Sequence, residues 1–169
     1  MTTYDTFQVV RLDEQPYLGI TDRVTMTTFS KLADRFGEVF ERVGAQGLTS
    51  VGAPFFRYHV VDMASELVVE AGVPVDRRAT AGPDDGDVRP GVIPAGAYVT
   101  TTHHGHPDQL VDVTGDLLAW ANGQGLTFDR HDSAAGDVWG SRLEFYETDP
   151  AVEPDMDTWE VRLAFRLAD

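Results

Sequence analysis

The chain contains no cysteine. That excludes disulfides, thiolate nucleophiles and cysteine-based zinc sites. Basic residues are scarce: 13 Lys and Arg stand against 28 Asp and Glu, a formal net charge of −15. A surface of that sign repels phosphate backbones and anionic lipid, which makes nucleic acid and membranes poor direct partners. No run approaches the roughly 18 apolar residues of a spanning helix. The opening Met1-Thr2-Thr3-Tyr4-Asp5 lacks a basic region followed by an apolar stretch. The expected setting is therefore cytoplasmic.

Several catalytic signatures are missing as well. There is no Gly-x-Ser-x-Gly elbow, and no Lys follows the glycines between 44 and 52 as a phosphate loop requires. His103-His104-Gly105-His106 has no second ligand motif at zincin spacing and is expected to be a loop. Asp84-Asp85-Gly86-Asp87 lacks the alternating ligand order of a calcium loop and reads as a turn. Neither a metal nor a cofactor is expected.

What is present is a repeat. With 169 residues and 42% hydrophobic content, the chain has the size and core for one domain. At an offset of 81, Phe7 aligns with Val88, Leu12 with Ile93, Tyr17 with Tyr98, Phe29 with Leu110, Leu32 with Val113, Phe36 with Leu117 and Gly44 with Gly125. Apolar residues at helical spacing predict one helix over 28–43, with Phe29, Leu32, Ala33, Phe36, Val39, Phe40 and Val43 on its stripe. A second helix is predicted over 107–122, with Leu110, Val113, Leu117, Leu118 and Ala121 on its stripe and glycines beyond its end. Strands are predicted over 7–12, 17–25, 55–61, 66–75, 88–93, 97–102, 138–147 and 158–167. The Gly-, Pro- and Asp-rich stretch 76–86 reads as a connector.

Each half is thus strand-helix-strand-strand, with repeat one over about 5–75 and repeat two over about 87–168. The expected fold is α+β: two repeats about a pseudo-two-fold axis, antiparallel sheets with helices on one side, and a ligand cleft at the junction.

The most informative residues close the chain. Arg142-Leu143-Glu144-Phe145-Tyr146 forms one strand, and the next begins near Trp159-Glu160-Val161. Alternation puts Val138, Arg142, Glu144 and Tyr146 on one face and Trp139, Leu143 and Phe145 on the other. On the final strand it puts Trp159, Val161, Leu163, Phe165 and Leu167 together. From the residues alone, Glu144 is either paired with Arg142 or Arg162 on a solvated face, or the floor of a pocket. Burying it unpaired costs several kcal/mol.

The order of these pieces resembles the GyrI-like small-molecule-binding family, the effector-binding domains of multidrug-responsive regulators and their stand-alone relatives. The resemblance rests on the doubled unit, on Pro16-Tyr17 and Pro94-Ala95-Gly96-Ala97-Tyr98 before each helix, and on Glu144-Phe145-Tyr146, Asp149-Pro150 and Trp159-Glu160-Val161 at the close. It implies a buried pocket acid at Glu144 with Tyr146 and Trp159 nearby. It also implies aromatic walls from Phe55, Phe56 and Tyr58 in the first half's hairpin and from Trp120 on the second helix. The ligands it implies are aromatic, often cationic compounds, taken up in sequestration or sensing. The alternative it implies is hydrolysis of strained, cyclopropane-type electrophiles, with Glu144 as general base and Tyr146 assisting. No helix-turn-helix is seen in the sequence. A second copy of the chain, through exposed strand edges, or a separate regulator are the protein partners left open.

Overall fold

The computed structural model describes residues 3–62, 64–81 and 86–169. Ten strands form one curled antiparallel sheet: β1 (Gln8–Leu12), β2 (Gln15–Val24), β3 (Phe55–Val61), β4 (Leu67–Pro74), β5 (Arg89–Ile93), β6 (Gly96–His104), β7 (Arg130–Ser133), β8 (Gly136–Trp139), β9 (Arg142–Tyr146) and β10 (Glu160–Arg166). The main order is β1-β6-β10-β9-β3-β4-β2-β5. It is symmetric about the central β9–β3 pair. Outward on one side come β10, β6 and β1; on the other come β4, β2 and β5. The outermost strand of each half is lent by the other half of the chain, because β1 pairs with β6 and β5 with β2.

The sheet carries two helical units. In the first half the predicted single helix is two: α1 (Phe29–Ala33) and α2 (Phe36–Ala45). The break falls at Asp34 and Arg35. There the Arg35 guanidinium is held by Glu38 and Asp87, each at 2.8 Å. The break re-phases the apolar stripe. Leu32, Val39 and Val43 are buried, whereas Phe40 is turned out, with 44% of its surface exposed. In the second half a 3-10 turn over Pro107–Gln109 leads into α3 (Leu110–Gly123), whose Leu110, Val113, Leu117 and Ala121 are buried.

Buried side chains fall into three groups. One lies under α1 and α2 and includes Leu18, Ile20, Leu32, Val39 and Phe56. One lies under α3 and includes Val113, Leu117, Trp139, Leu163 and Phe165. The third fills the opposite face with Tyr17, Phe55, Ile93, Tyr98, Leu143, Phe145 and Ala164. On that face the Phe55 ring lies directly over Gly72, so tightly that any Cβ there would overlap the ring. Gly72→Val is therefore expected to destabilise the fold by about 1–3 kcal/mol, read as a lower urea midpoint with unchanged m-value. An unchanged midpoint would contradict this packing.

The expected strand over 138–147 is two strands. β8 and β9 both pair with β3, but Gly140 and Ser141 interrupt them, and β3 shifts register between Tyr58 and Val60. Gly140 is pinned there: its amide donates to the Asp129 carbonyl (2.8 Å), and its own carbonyl accepts from Arg57 Nη2 (2.9 Å). The interruption changes the alternation. Trp139 lies under α3, on the same side as Arg142, rather than opposite it as the uninterrupted strand predicts.

The histidines expected in a loop partly belong to β6. His103 is buried and His104 exposed, as neighbours on a strand should be. His106 Nδ1 accepts from the Asp108 amide at 3.0 Å and caps the following turn. Among the described residues no cluster of three or more metal-ligating side chains occurs, and no helix is long and apolar enough to cross a membrane. The acidic stretch at 84–87 lies partly outside the described residues.

Candidate ligand-binding site

Glu144 sits at the centre of the sheet, on the face that carries the helices. It pairs in register with Phe56 on β3 and with Leu163 on β10. Only 6% of its surface is exposed. Tyr146, two residues along the same strand, donates its hydroxyl to Glu144 Oε2 at 3.2 Å. The Tyr58 hydroxyl acts on the same carboxylate. Burial raises the carboxyl above its usual range, while the nearby Arg142 charge and the two hydroxyls pull the other way. Both tyrosines are in turn pushed well above ordinary phenols, first by burial and then by the Glu144 charge.

The walls around this carboxylate are aromatic. Phe56 meets Tyr146 edge-on at 5.3 Å and touches Phe29 at 4.7 Å and Phe36 at 5.2 Å. Phe29 also stacks on Tyr58 at 6.0 Å. Tyr146 packs against both helix-covered groups, so Glu144 lies at the seam between the two halves. On the other flank, the Arg142 guanidinium lies over three rings: Phe165 at 4.7 Å, Trp139 at 5.1 Å and Tyr58 at 5.4 Å. Helical spacing places Phe29 and Phe36 in the helix core only, and the strand pattern offers Arg142 as a partner for Glu144 on a solvated face. Their spacing was legible; their convergence on one carboxylate depends on contacts between distant elements.

The structure brings together four of the residues that the sequence singled out: Glu144, Tyr146, Phe56 and Tyr58. Of the other three, Phe55 faces away from this carboxylate, and Trp120 and Trp159 make contacts outside the ring cluster. Phe55 points to the opposite face, where it packs against Tyr17 at 5.0 Å and Phe145 at 5.4 Å, because adjacent strand residues alternate. Trp120 packs at 5.6 Å on Phe7, within the segment that precedes β1. Trp159 donates its indole N–H to the Glu153 carbonyl at 2.7 Å, tying it to the loop before β10.

The sequence profile of the GyrI-like small molecule binding domain matches residues 5–165. The chain belongs to the GyrI-like family. Small-molecule binding is accordingly the general role of this domain. Among solved structures, the C-terminal domain of EcmrR superposes with a TM-score of 0.75 at 21% identity, covering 97% of this GyrI-like chain and 98% of that one. EcmrR in a transcription complex with DNA matches with a TM-score of 0.77 at 21% identity. This chain is covered in full there but spans only 59% of that protein's length. SAV2435 bound to tetraphenylphosphonium matches with a TM-score of 0.59 at 9% identity, over 97% of this chain and 94% of that one. A structure described as a hydrolase from Listeria innocua matches with a TM-score of 0.62 at 12% identity, over 96% and 91%. At these identities the likeness is one of fold. No curated protein matches the chain in sequence.

Two further features of the GyrI-like domain lie away from Glu144. A cavity of about 220 Å³ is lined by Arg78, Ala79, Pro90, Gly91 and Val92. It adjoins the edge strand β5, separated from β9 in the sheet by β3, β4 and β2. It has no buried charge and few rings, so its chemistry is poorer than that of the seam. A second buried carboxylate, Glu70, is 6% exposed. It accepts from Tyr17 (2.6 Å) and contacts His59 Nε2 (2.9 Å), while Arg57 Nη1 donates to the Tyr17 hydroxyl (3.0 Å). That carboxylate is satisfied by its protein neighbours and serves the fold.

The Tyr146 hydroxyl contact gives a direct check on the site's electrostatics. Tyr146→Phe removes a donor that favours the ionised form, so the Glu144 carboxyl is expected to titrate at still higher pH. Carbon-detected NMR of labelled glutamate side chains across pH reads this. An unshifted titration would mean that the hydroxyl does not stabilise the carboxylate.

Proposed function

We propose that the seam around Glu144 binds aromatic, lipophilic cations, as a cytoplasmic protein that sequesters or senses them. The observation that carries this reading is a carboxylate 6% exposed whose hydrogen-bond donors among the described residues are the Tyr146 and Tyr58 hydroxyls rather than a cation. A buried carboxylate without a bonded cation is costly. A ligand cation offsets that cost by charge, and the surrounding ring faces add cation–π attraction. Aromatic walls impose few directional demands, so compounds of several shapes fit. The tetraphenylphosphonium carried by SAV2435 has this chemistry, a delocalised cation wrapped in rings. Quenching of intrinsic tryptophan fluorescence by tetraphenylphosphonium tests the reading. Saturable quenching with a stoichiometry of one is expected, and no saturable signal would contradict it.

A second reading draws on the same atoms. An ionised carboxylate with a raised pKa is a stronger base, and the Tyr146 hydroxyl lies 3.2 Å away as a proton donor. In a strained cyclopropane, water would add to one ring carbon and lose a proton to Glu144. The ring C–C bond would break, the departing carbon would take a proton from Tyr146, and the protonated Glu144, 3.2 Å away, would return a proton to the Tyr146 oxygen. Mass spectrometry of such a compound after incubation separates the two readings. A product heavier by one water, absent with Glu144→Gln, favours hydrolysis; intact compound with a binding signal favours binding alone.

A further inference from the structure

The Arg142 guanidinium is an internal cation within an aromatic cage. Its three ring contacts come from three strands, β3, β8 and β10, so the cage is a product of the tertiary fold. Its Nε is buried without a hydrogen-bond partner among the described residues. Burial disfavours its charge, while Tyr58, Glu144 and Asp137 support it. A guanidinium has five donors in a fixed planar fork and is made for oxygen acceptors, yet here ring faces do most of the holding. By contrast, Arg130 and Arg166 spend Nε and Nη donors on carboxylates and carbonyls, and Arg57, whose Nε is likewise unpartnered, donates to carbonyls through both Nη groups.

Arg142 and Glu144 lie on one face of β9, two residues apart, a spacing of about 7 Å along a strand. Tyr58 joins them: Arg142 sits over its ring, and its hydroxyl acts on Glu144. The site therefore presents an anion and a cation side by side, between aromatic walls. We propose that Arg142 is a specificity-determining residue, and that the preferred ligands are aromatic zwitterions, with a basic or delocalised cationic group for Glu144 and a carboxylate or similar oxygen acceptor for Arg142. This rests on the reading that ligands bind at the seam. It adds that a simple monocation leaves the Arg142 donors unanswered and is repelled by the guanidinium charge, whereas a zwitterion engages both residues.

The test uses two probes that differ by one methyl group and one charge: the carboxylate rhodamine with two primary amines, and its methyl ester. Fluorescence anisotropy at neutral pH gives both affinities for the wild-type chain and for Arg142→Met, Arg142→Lys and Glu144→Gln. Wild-type protein is expected to bind the carboxylate dye roughly tenfold more tightly than the ester, the scale of one charge-assisted hydrogen bond. Arg142→Met should abolish the preference, Arg142→Lys should retain part of it, and Glu144→Gln should weaken both dyes. If Arg142→Met fails to fold, the wild-type ratio and the lysine variant still decide. Both dyes binding wild type with equal affinity, or the ester binding better, would overturn the role of Arg142 and leave the seam as the site. Neither dye binding would overturn the seam reading and this inference together.

Discussion

Glu144→Gln is expected to weaken tetraphenylphosphonium binding by about 2 kcal/mol, roughly 30-fold in Kd, while a neutral analogue such as triphenylphosphine oxide changes by less than about threefold. The reasoning is electrostatic. Two unit charges about 4 Å apart attract by roughly 4 kcal/mol at an effective dielectric near 20, and part of that is spent on desolvating the cation. Glutamine keeps the shape and the Tyr146 contact but carries no charge. Isothermal titration of both ligands against both proteins separates a charge effect from a shape effect. Equal losses for the two ligands would mean that Glu144 acts through packing.

The same substitution bears on stability, and the sign follows from the raised carboxyl. A carboxyl whose folded pKa exceeds its unfolded value takes up a proton on folding between those values. Its destabilising contribution is absent below the unfolded pKa and fully present above the folded one. At neutral pH, Glu144→Gln should therefore be at least as stable as wild type. The gap should close as pH falls towards the ordinary glutamate range. A variant that binds less and melts no lower would show that stability is given up here for a charge the ligand needs.

Phe55 and Phe56 make the second strong prediction, because they are adjacent in sequence and opposed in space. Phe55 is wholly buried and Phe56 nearly so. Replacing either by alanine should cost about 3–5 kcal/mol, a large share of a typical domain's stability. Leucine at either position keeps much of the volume and should cost about 1–1.5 kcal/mol. The two leucine variants should then part company in binding. Phe56→Leu removes a wall that meets Tyr146, Phe29 and Phe36, and should weaken tetraphenylphosphonium several-fold. Phe55→Leu acts on the Tyr17–Phe145 side and should leave Kd unchanged. Equal effects on binding, or a larger effect from Phe55, would place the ligand on the other face.

This pair also marks what the sequence alone could and could not convey. Helix stripes, the hairpin between β3 and β4, and the doubled unit follow from periodicities within a few residues, and they were legible. The inward turn of Glu144 was open on the residues alone and gained weight only from the family resemblance. Which of two adjacent phenylalanines faces the carboxylate depends on strand register, which a two-residue period cannot fix when both neighbours are aromatic. Trp139 changed faces because Gly140 and Ser141 interrupt the strand while β3 shifts register, and neither irregularity has a strong sequence signal. The split of the first helix at Asp34 and Arg35 involves Asp87, far along the chain. Trp120 and Trp159 are claimed by Phe7 and by Glu153, contacts that no local pattern announces. The Arg142 cage needs three strands assembled before it exists.

A crystal of the protein grown with tetraphenylphosphonium would show whether the cation sits against Glu144. The phosphonium centre is expected within about 6 Å of a ring face, the usual reach of a cation–π contact. It should lie on the helix-bearing side of the sheet, against Phe56, Tyr58 and Tyr146, with the Glu144 carboxylate as its nearest anion. A ligand in the cavity beside Arg78 and Val92, or on the Phe55 face, with Glu144 untouched, would contradict it.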